Sequence, residues 1–187
     1  SCWDYWGATK SRTSGDYKNL INLAKYFTDN TNVDPAQVYI AGLSSGGAFA
    51  MTTACLAPDI FAGMGIDAGP SAGTSSNGAF SHESTASQTA TRCQGYAGTY
   101  KTHFATQVTV TAAGTSDNTV PQTYAPQNAE AMAIIYGATK NAGSNALDKG
   151  TEYLWNISGK NVISQLKLTG VGHAWPGGTG ASGSYID

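Results

Sequence analysis

Three short stretches carry residues whose types and order suit acyl transfer. "GLSSG" (42–46) sets Ser44 between glycines, "GTSDNTV" (114–120) holds Asp117, and "GVGHAWPGG" (170–178) holds His173. A serine hydroxyl attacks a carbonyl only when a base removes its proton, and that base needs a carboxylate to orient it. The pattern G-x-S-x-G, followed in chain order by an acid and a histidine, matches a turn that lifts the serine above a parallel sheet. Ser44 is therefore the expected nucleophile, Asp117 the acid and His173 the base. Ser45 is the competing serine. It follows the nucleophile position at the start of a helix, so it is expected to donate its backbone N–H to an oxyanion rather than use its hydroxyl.

Elements of the right kind surround each residue. "VYIAG" (38–42) is a continuous apolar run, expected as a central strand buried on both faces. Residues 45–56 are small and apolar and read as a buried helix. Gly42 and Gly46, two positions either side of Ser44, would let that strand and helix approach without a Cβ clash. "GMGIDAG" (63–69) and "QVTVTAAG" (107–114) read as strands, and so do "TEYLWNI" and "VISQLKL" in the last third of the chain. Asp117 and His173 then fall in loops just past strand ends, on the same rim as Ser44.

The rivals are placed less well. Asp67 also follows a strand and is an alternative acid, while His82 and His103 read as surface residues. Helices are expected at 17–29, with Leu20, Leu23, Ala24 and Phe27 on one face and Asp16 as N-cap, and at 127–136. Residues 1–16 and the tail from Gly170 read as loops. Residues 69–100 are poor in apolar periodicity and read as a long surface excursion carrying Cys93. Strands alternating with helices indicate one α/β domain with a mainly parallel sheet.

The bulk numbers agree with a globular enzyme and exclude some classes. The 187 residues are enough for one domain. Charged residues are 12%, against about 25% in ordinary domains, and the net charge is −2. With no basic cluster, nucleic-acid binding is not expected. No apolar run approaches the roughly 18 residues of a membrane span. The low charge and abundant Ser, Thr and Gly resemble secreted enzymes. Cys2, Cys55 and Cys93 lack the close spacing of a zinc or redox site. Two of the three would pair in a secreted chain, and all three would stay reduced in a cytosolic one.

Together these segments resemble the catalytic domain of extracellular poly(3-hydroxybutyrate) depolymerases and the related feruloyl and acetylxylan esterases. The resemblance rests on "CWDYW" (2–6), "NVDPAQVYIAGLSSGGAFA" (32–50), "PDIFAG" (58–63), "GTSDNTV" and "GHAWPGGTGASGSY" (172–185). It implies the α/β-hydrolase fold, with Ser44, Asp117 and His173 in the roles given above. In that family a His-Gly segment on an early strand supplies a second oxyanion donor, and a helix closes the domain after the Gly-Ser-Tyr segment. Neither appears in this sequence, so the resemblance implies an incomplete catalytic domain, lacking its first strands and last helix. It also implies that Cys55 pairs with Cys93 and leaves Cys2 for a cysteine upstream.

The reaction so implied is ester hydrolysis through an acyl-enzyme, with no metal and no cofactor. Trp175, Trp3 and Trp6 are candidates to line the substrate cleft, although Trp3 and Trp6 could equally fill a core beneath loops. The expected substrate is a polyester of the poly(3-hydroxybutyrate) type. Feruloyl or acetylxylan ester hydrolysis is the alternative, and a non-catalytic polymer-binding module is a third. The protein is expected to be secreted and monomeric.

Overall fold

In the computed structural model, residues 2–177 are described. The last part of the tail, "GTGASGSYID" (178–187), lies outside them, and so does residue 1. Helix α1 spans Gly15–Asn30, strand β1 Tyr39–Leu43, helix α2 Ser45–Leu56 and strand β2 Gly63–Asp67. Helix α3 spans Ala86–Ala97, strand β3 Val108–Gly114 and helix α4 Tyr124–Tyr136. The short strands β4 (Thr139–Lys140) and β5 (Asn145–Leu147) precede a hairpin of β6 (Gly150–Ile157) and β7 (Lys160–Leu168).

These strands form one mixed sheet in the order β1-β2-β3-β7-β6-β4, with β5 also paired to β6. β1, β2, β3 and β7 run parallel, and the pairings of β6 are antiparallel. The carboxyl ends of the four parallel strands therefore share one rim, where chemistry gathers on open α/β sheets. Met64, Thr109 and Ile163 turn toward the helices and are buried. Thr109 bonds the Tyr136 hydroxyl at 2.8 Å, and Thr111 donates to the Ala125 carbonyl of α4 at 2.9 Å.

Several expectations are corrected. β1 is not central: among the described strands it lies at the sheet edge, with Tyr39 59% exposed. Its apolar run reads like a two-sided buried strand, but β2, with neighbours on both sides, has that role. The expected inward face of α1 is only partly buried. Tyr17 and Ile21 are covered, whereas Leu23 and Phe27 line an open groove of about 270 Å³ beside β1. Ser14, not Asp16, occupies the N-cap of α1, and Asp16 lies within its first turn.

The stretch 69–100 is not a surface excursion. It contains α3, which buries Thr89, Ala90, Cys93 and Ala97, and ends in a 3₁₀ segment over 98–106. Those buried residues are small or hydroxylated, so hydrophobic periodicity is faint. The signal that marks the helix is a capping box, in which Thr85 accepts the Gln88 N–H while the Gln88 side chain accepts the Thr85 N–H. Cys93 forms a disulfide with Cys55, joining α3 to the carboxyl end of α2. α4 also begins three residues earlier than expected, with Pro126 in its first turn, where a missing N–H costs nothing.

α2 is buried nearly all round, from Gly47 to Leu56. A helix with no polar stripe has no solvent face to present, so it must lie inside the domain. Tyr17 of α1 stacks on Phe49 of α2 at 4.0 Å between ring centroids.

Candidate active site

Ser44 joins β1 to α2 with φ 59° and ψ −125°, a conformation that few residues other than glycine adopt. Tight packing explains the turn. A Cβ on Gly42 would stand 2.1 Å from the Gly46 carbonyl oxygen, and one on Gly47 would stand 2.8 Å from the Gly42 carbonyl oxygen. Gly46 itself has room, with the Trp3 ring 3.5 Å from its notional Cβ. The second glycine the turn requires is thus Gly47 rather than Gly46. The Ser44 N–H donates to the Asp67 carbonyl at 2.8 Å, which fixes the turn to the end of β2.

Ser45 opens α2, where the first backbone N–H groups lack partners within the helix. Its hydroxyl is engaged elsewhere, accepting the Trp3 N–H at 3.2 Å. The N-terminal loop is held a second time by Arg12, which donates to Asp59 (2.9 Å through Nη2) and to the Leu56 carbonyl.

Asp117 and His173 meet directly. His173 Nδ1 lies 2.9 Å from Asp117 Oδ2, across 56 residues of chain. The other carboxylate oxygen accepts the N–H groups of Thr119 (2.8 Å) and Val120 (3.1 Å), so the acid is oriented before the imidazole is counted. The Asp117 side chain is 1% exposed and that of His173 18%. With Nδ1 facing a carboxylate, the proton of a neutral imidazole belongs on Nδ1 and Nε2 is left to accept.

Backbone contacts hold the two loops together. The Thr115 N–H donates to the Leu168 carbonyl and the Ser116 N–H to the Val171 carbonyl, and the Thr115 hydroxyl accepts the Gly170 N–H. A Cβ on Gly114 would stand 2.0 Å from the Val171 oxygen, so only glycine permits this crossing.

Asp67 is the residue whose placement the sequence resolved least. It is 5% exposed at the end of β2, and its Oδ2 has no hydrogen-bond partner among the described residues. Burial pushes its pKa up to about 6; the field of His173 opposes the rise and that of Asp117 adds to it.

The tryptophans separate. Trp3 and Trp175 line a cleft of about 360 Å³ with Leu43, Gly46 and Phe49, next to the Ser44 turn. Trp6 packs edge-on against Tyr5 at 5.0 Å and does not line the cleft. His82 and His103 are exposed, and His82 leans on the Tyr124 ring. Among the described residues no cluster of three or more His, Cys, Asp or Glu could hold a metal, and no helix is long and apolar enough to cross a membrane.

Known proteins resemble this chain in sequence and in fold. The chain is 42% identical over its full length to a poly(3-hydroxybutyrate) depolymerase of Ralstonia pickettii, of which it spans 40%. It is 35% identical over 75 residues, 39% of its length, to an acetylxylan esterase of Coprinopsis cinerea, of which it spans 20%. An acetyl xylan esterase from Aspergillus awamori superimposes with TM-score 0.75 at 20% identity, over 92% of this chain and 68% of that one. A PHB depolymerase complexed with an R3HB trimer does so with TM-score 0.55 at 20% identity, over 82% and 45%. The fold is that of the α/β-hydrolases. The family model described as esterase PHB depolymerase matches residues 1–99, and the chain belongs to that family.

Proposed function

We propose that this chain carries the catalytic centre of a secreted serine esterase that cleaves polyesters of the poly(3-hydroxybutyrate) type. One observation supports the reading most: an oriented Asp117–His173 pair on the same rim as a strained serine turn. His173 Nε2 takes the Ser44 proton as Oγ attacks the ester carbonyl, and Asp117 stabilises the imidazolium. The Ser45 N–H faces the oxyanion, the alcohol leaves with the proton from His173, and water then releases the acyl group by the same relay.

The cleft between Trp3 and Trp175 is mainly apolar, as a polyester acyl chain requires. Tyr39, Ala41 and Val110 leave an apolar face of the sheet uncovered beside this rim. The buried disulfide fits an oxidising, extracellular setting. Acetylxylan or feruloyl ester hydrolysis is the second reading, favoured by the 75-residue similarity to an acetylxylan esterase.

Labelling with an organophosphonate, followed by peptide mapping, tests the chemistry. Modification at Ser44 of the intact protein, absent in Ser44→Ala, is expected. An unlabelled but folded protein rejects the esterase in favour of a binding module. Clearing of a poly(3-hydroxybutyrate) suspension without ferulate release from methyl ferulate selects the polyester.

A further inference from the structure

A second cavity, of about 370 Å³, lies on the α4 side of the sheet and shares no lining residue with the cleft beside Ser44. Register explains its walls. Ala113 of β3 pairs with Lys167 of β7, Gln165 of β7 with Tyr153 of β6, and Lys140 of β4 with Trp155 of β6. Gln165 also pairs with Thr111, whose hydroxyl reaches the Ala125 carbonyl of α4, so alternation sets these side chains on the face that α4 covers. Gln122 and Pro126, just before and within the first turn of α4, close the remaining side.

Two cations and one amide of this cavity lack polar partners. Lys140 and Lys167 make no ion pair among the described residues, and Lys140 Nζ sits 4.9 Å from the Tyr153 and Trp155 rings. Gln165 is 6% exposed, and its side-chain amide makes no hydrogen bond among the described residues. An amide so buried is normally satisfied, and leaving it bare is costly. The neighbouring carboxylates are engaged elsewhere. Glu152 lies on the opposite face with Ser164 and Asn145, and Asp117 holds Thr119, Val120 and His173.

Two uncompensated charges call for an anion, and the walls decide which kind. Phosphate is commonly cradled by backbone N–H groups or an arginine fork. Here the Ala125 and Gln127 N–H groups already donate to the Gln122 and Thr123 carbonyls, and Pro126 has no N–H. Ala113, Pro126 and the Tyr153 ring supply apolar surface instead. Gln122 Nε2 donates to the Thr115 and Asp117 carbonyls at 2.9 and 3.3 Å, which fixes the amide and leaves its oxygen free to accept.

We propose that this cavity binds a short aliphatic hydroxycarboxylate. Lys140 and Lys167 hold the carboxylate, the carbon chain lies on Tyr153 and Ala113, and the hydroxyl meets the amides of Gln122 and Gln165. Because Gln122 braces the Asp117 loop, the site abuts that loop without containing the acid itself. The hydroxyacid that polyester cleavage releases has this chemistry; that source rests on the reading above, whereas binding does not.

Titration of the intact protein with 3-hydroxybutyrate, followed by amide NMR, tests the site. Saturable shifts are expected at Gln122, Lys140, Gln165 and Lys167, and they persist in Ser44→Ala, which separates binding from turnover. Lys140→Gln and Lys167→Gln, both at exposed positions, each weaken binding about five- to tenfold, and together at least about thirtyfold. Gln165→Met, of similar volume, weakens it about threefold with the fold retained. Butyrate, without the hydroxyl, binds about threefold more weakly, and inorganic phosphate and methyl 3-hydroxybutyrate at least about tenfold more weakly. Phosphate binding as well as the hydroxyacid shows charge attraction alone and overturns the proposal. Shifts confined to Trp3 and Trp175 place the acid in the other cleft and overturn it too. Absent saturation rejects this site, while organophosphonate labelling of Ser44, measured separately, still decides the esterase reading.

Discussion

A Cβ on Gly42 would stand 2.1 Å from the carbonyl oxygen of Gly46, closer than any non-bonded contact allows. β1 and α2 can therefore meet at Ser44 only through a glycine. Gly42→Ala is expected to cost about 3 kcal/mol or more, because neither backbone can yield without breaking the turn. Gly46→Ala, which meets only the Trp3 ring at an ordinary distance, is expected to change stability by less than about 1 kcal/mol. Urea unfolding of the two variants measures the difference, and equal losses would refute this account of the turn.

Asp117→Asn retains the shape of the loop but removes the charge opposite His173 Nδ1. The amide can present its NH₂ to that nitrogen, which favours the tautomer with its proton on Nε2, the wrong one for accepting from a serine. Turnover is expected to fall by about 10³ to 10⁴, the scale seen when the acid of a serine protease triad is altered in this way. KM should change little. Steady-state kinetics on a soluble ester, with circular dichroism to check the fold, measures this.

Cys55 and Cys93 close a loop of 38 residues in a fully buried setting. Replacing both with alanine is expected to destabilise the domain by about 4 kcal/mol through the entropy returned to the unfolded chain. Turnover at room temperature should persist while the protein remains folded. Thermal unfolding with and without reductant compares the same states in the wild type.

Trp175 and Trp6 offer a paired control. Trp175 lines the cleft beside the Ser44 turn, and Trp6 lies off it against Tyr5. Trp175→Ala is expected to raise KM for apolar esters about tenfold, equivalent to 1.4 kcal/mol of lost contact. Trp6→Ala should leave KM within about twofold. Equal effects would mean that the cleft is not where substrate binds.

Asp67 also makes stability depend on pH. Its folded pKa lies near 6, above the ordinary 3.8, so the folded chain holds more protons than the unfolded chain between those values. The stabilising contribution is fully present below about pH 4 and is lost as pH rises through 6. Asp67→Asn stays neutral and avoids that loss. Relative to the wild type it is expected to gain about 1–2 kcal/mol between pH 4 and pH 7, measured by denaturant midpoints.

Much of the candidate site is legible in the sequence because its signals are local. Glycines around Ser44, and loops placed just past the strands leading to Asp117 and His173, are features of a few adjacent residues. The contact between Asp117 and His173 spans 56 residues, yet their positions after parallel strands were enough to predict the shared rim. What the residues concealed was environmental. β1 has the composition of a central strand, and nothing in five residues says how many neighbours it has. α3 was hidden because its buried face is built from Thr89, Ala90, Cys93 and Ala97, whose hydrophobic contrast is weak. The orphaned oxygen of Asp67 depends on how the chain packs around the end of β2, so no short motif encodes it.

α2 is enclosed from Gly47 to Leu56, and this limits how the scaffold can diversify. A larger residue on any side of that helix strains its neighbours and a smaller one leaves a void. On the proposed reading, retuning such a molecule for a new ester falls to the loops around the rim, above all the segment bearing Trp175. A library spread along the helix would return mostly dead clones, while one confined to those loops would sample substrate preference with the scaffold intact.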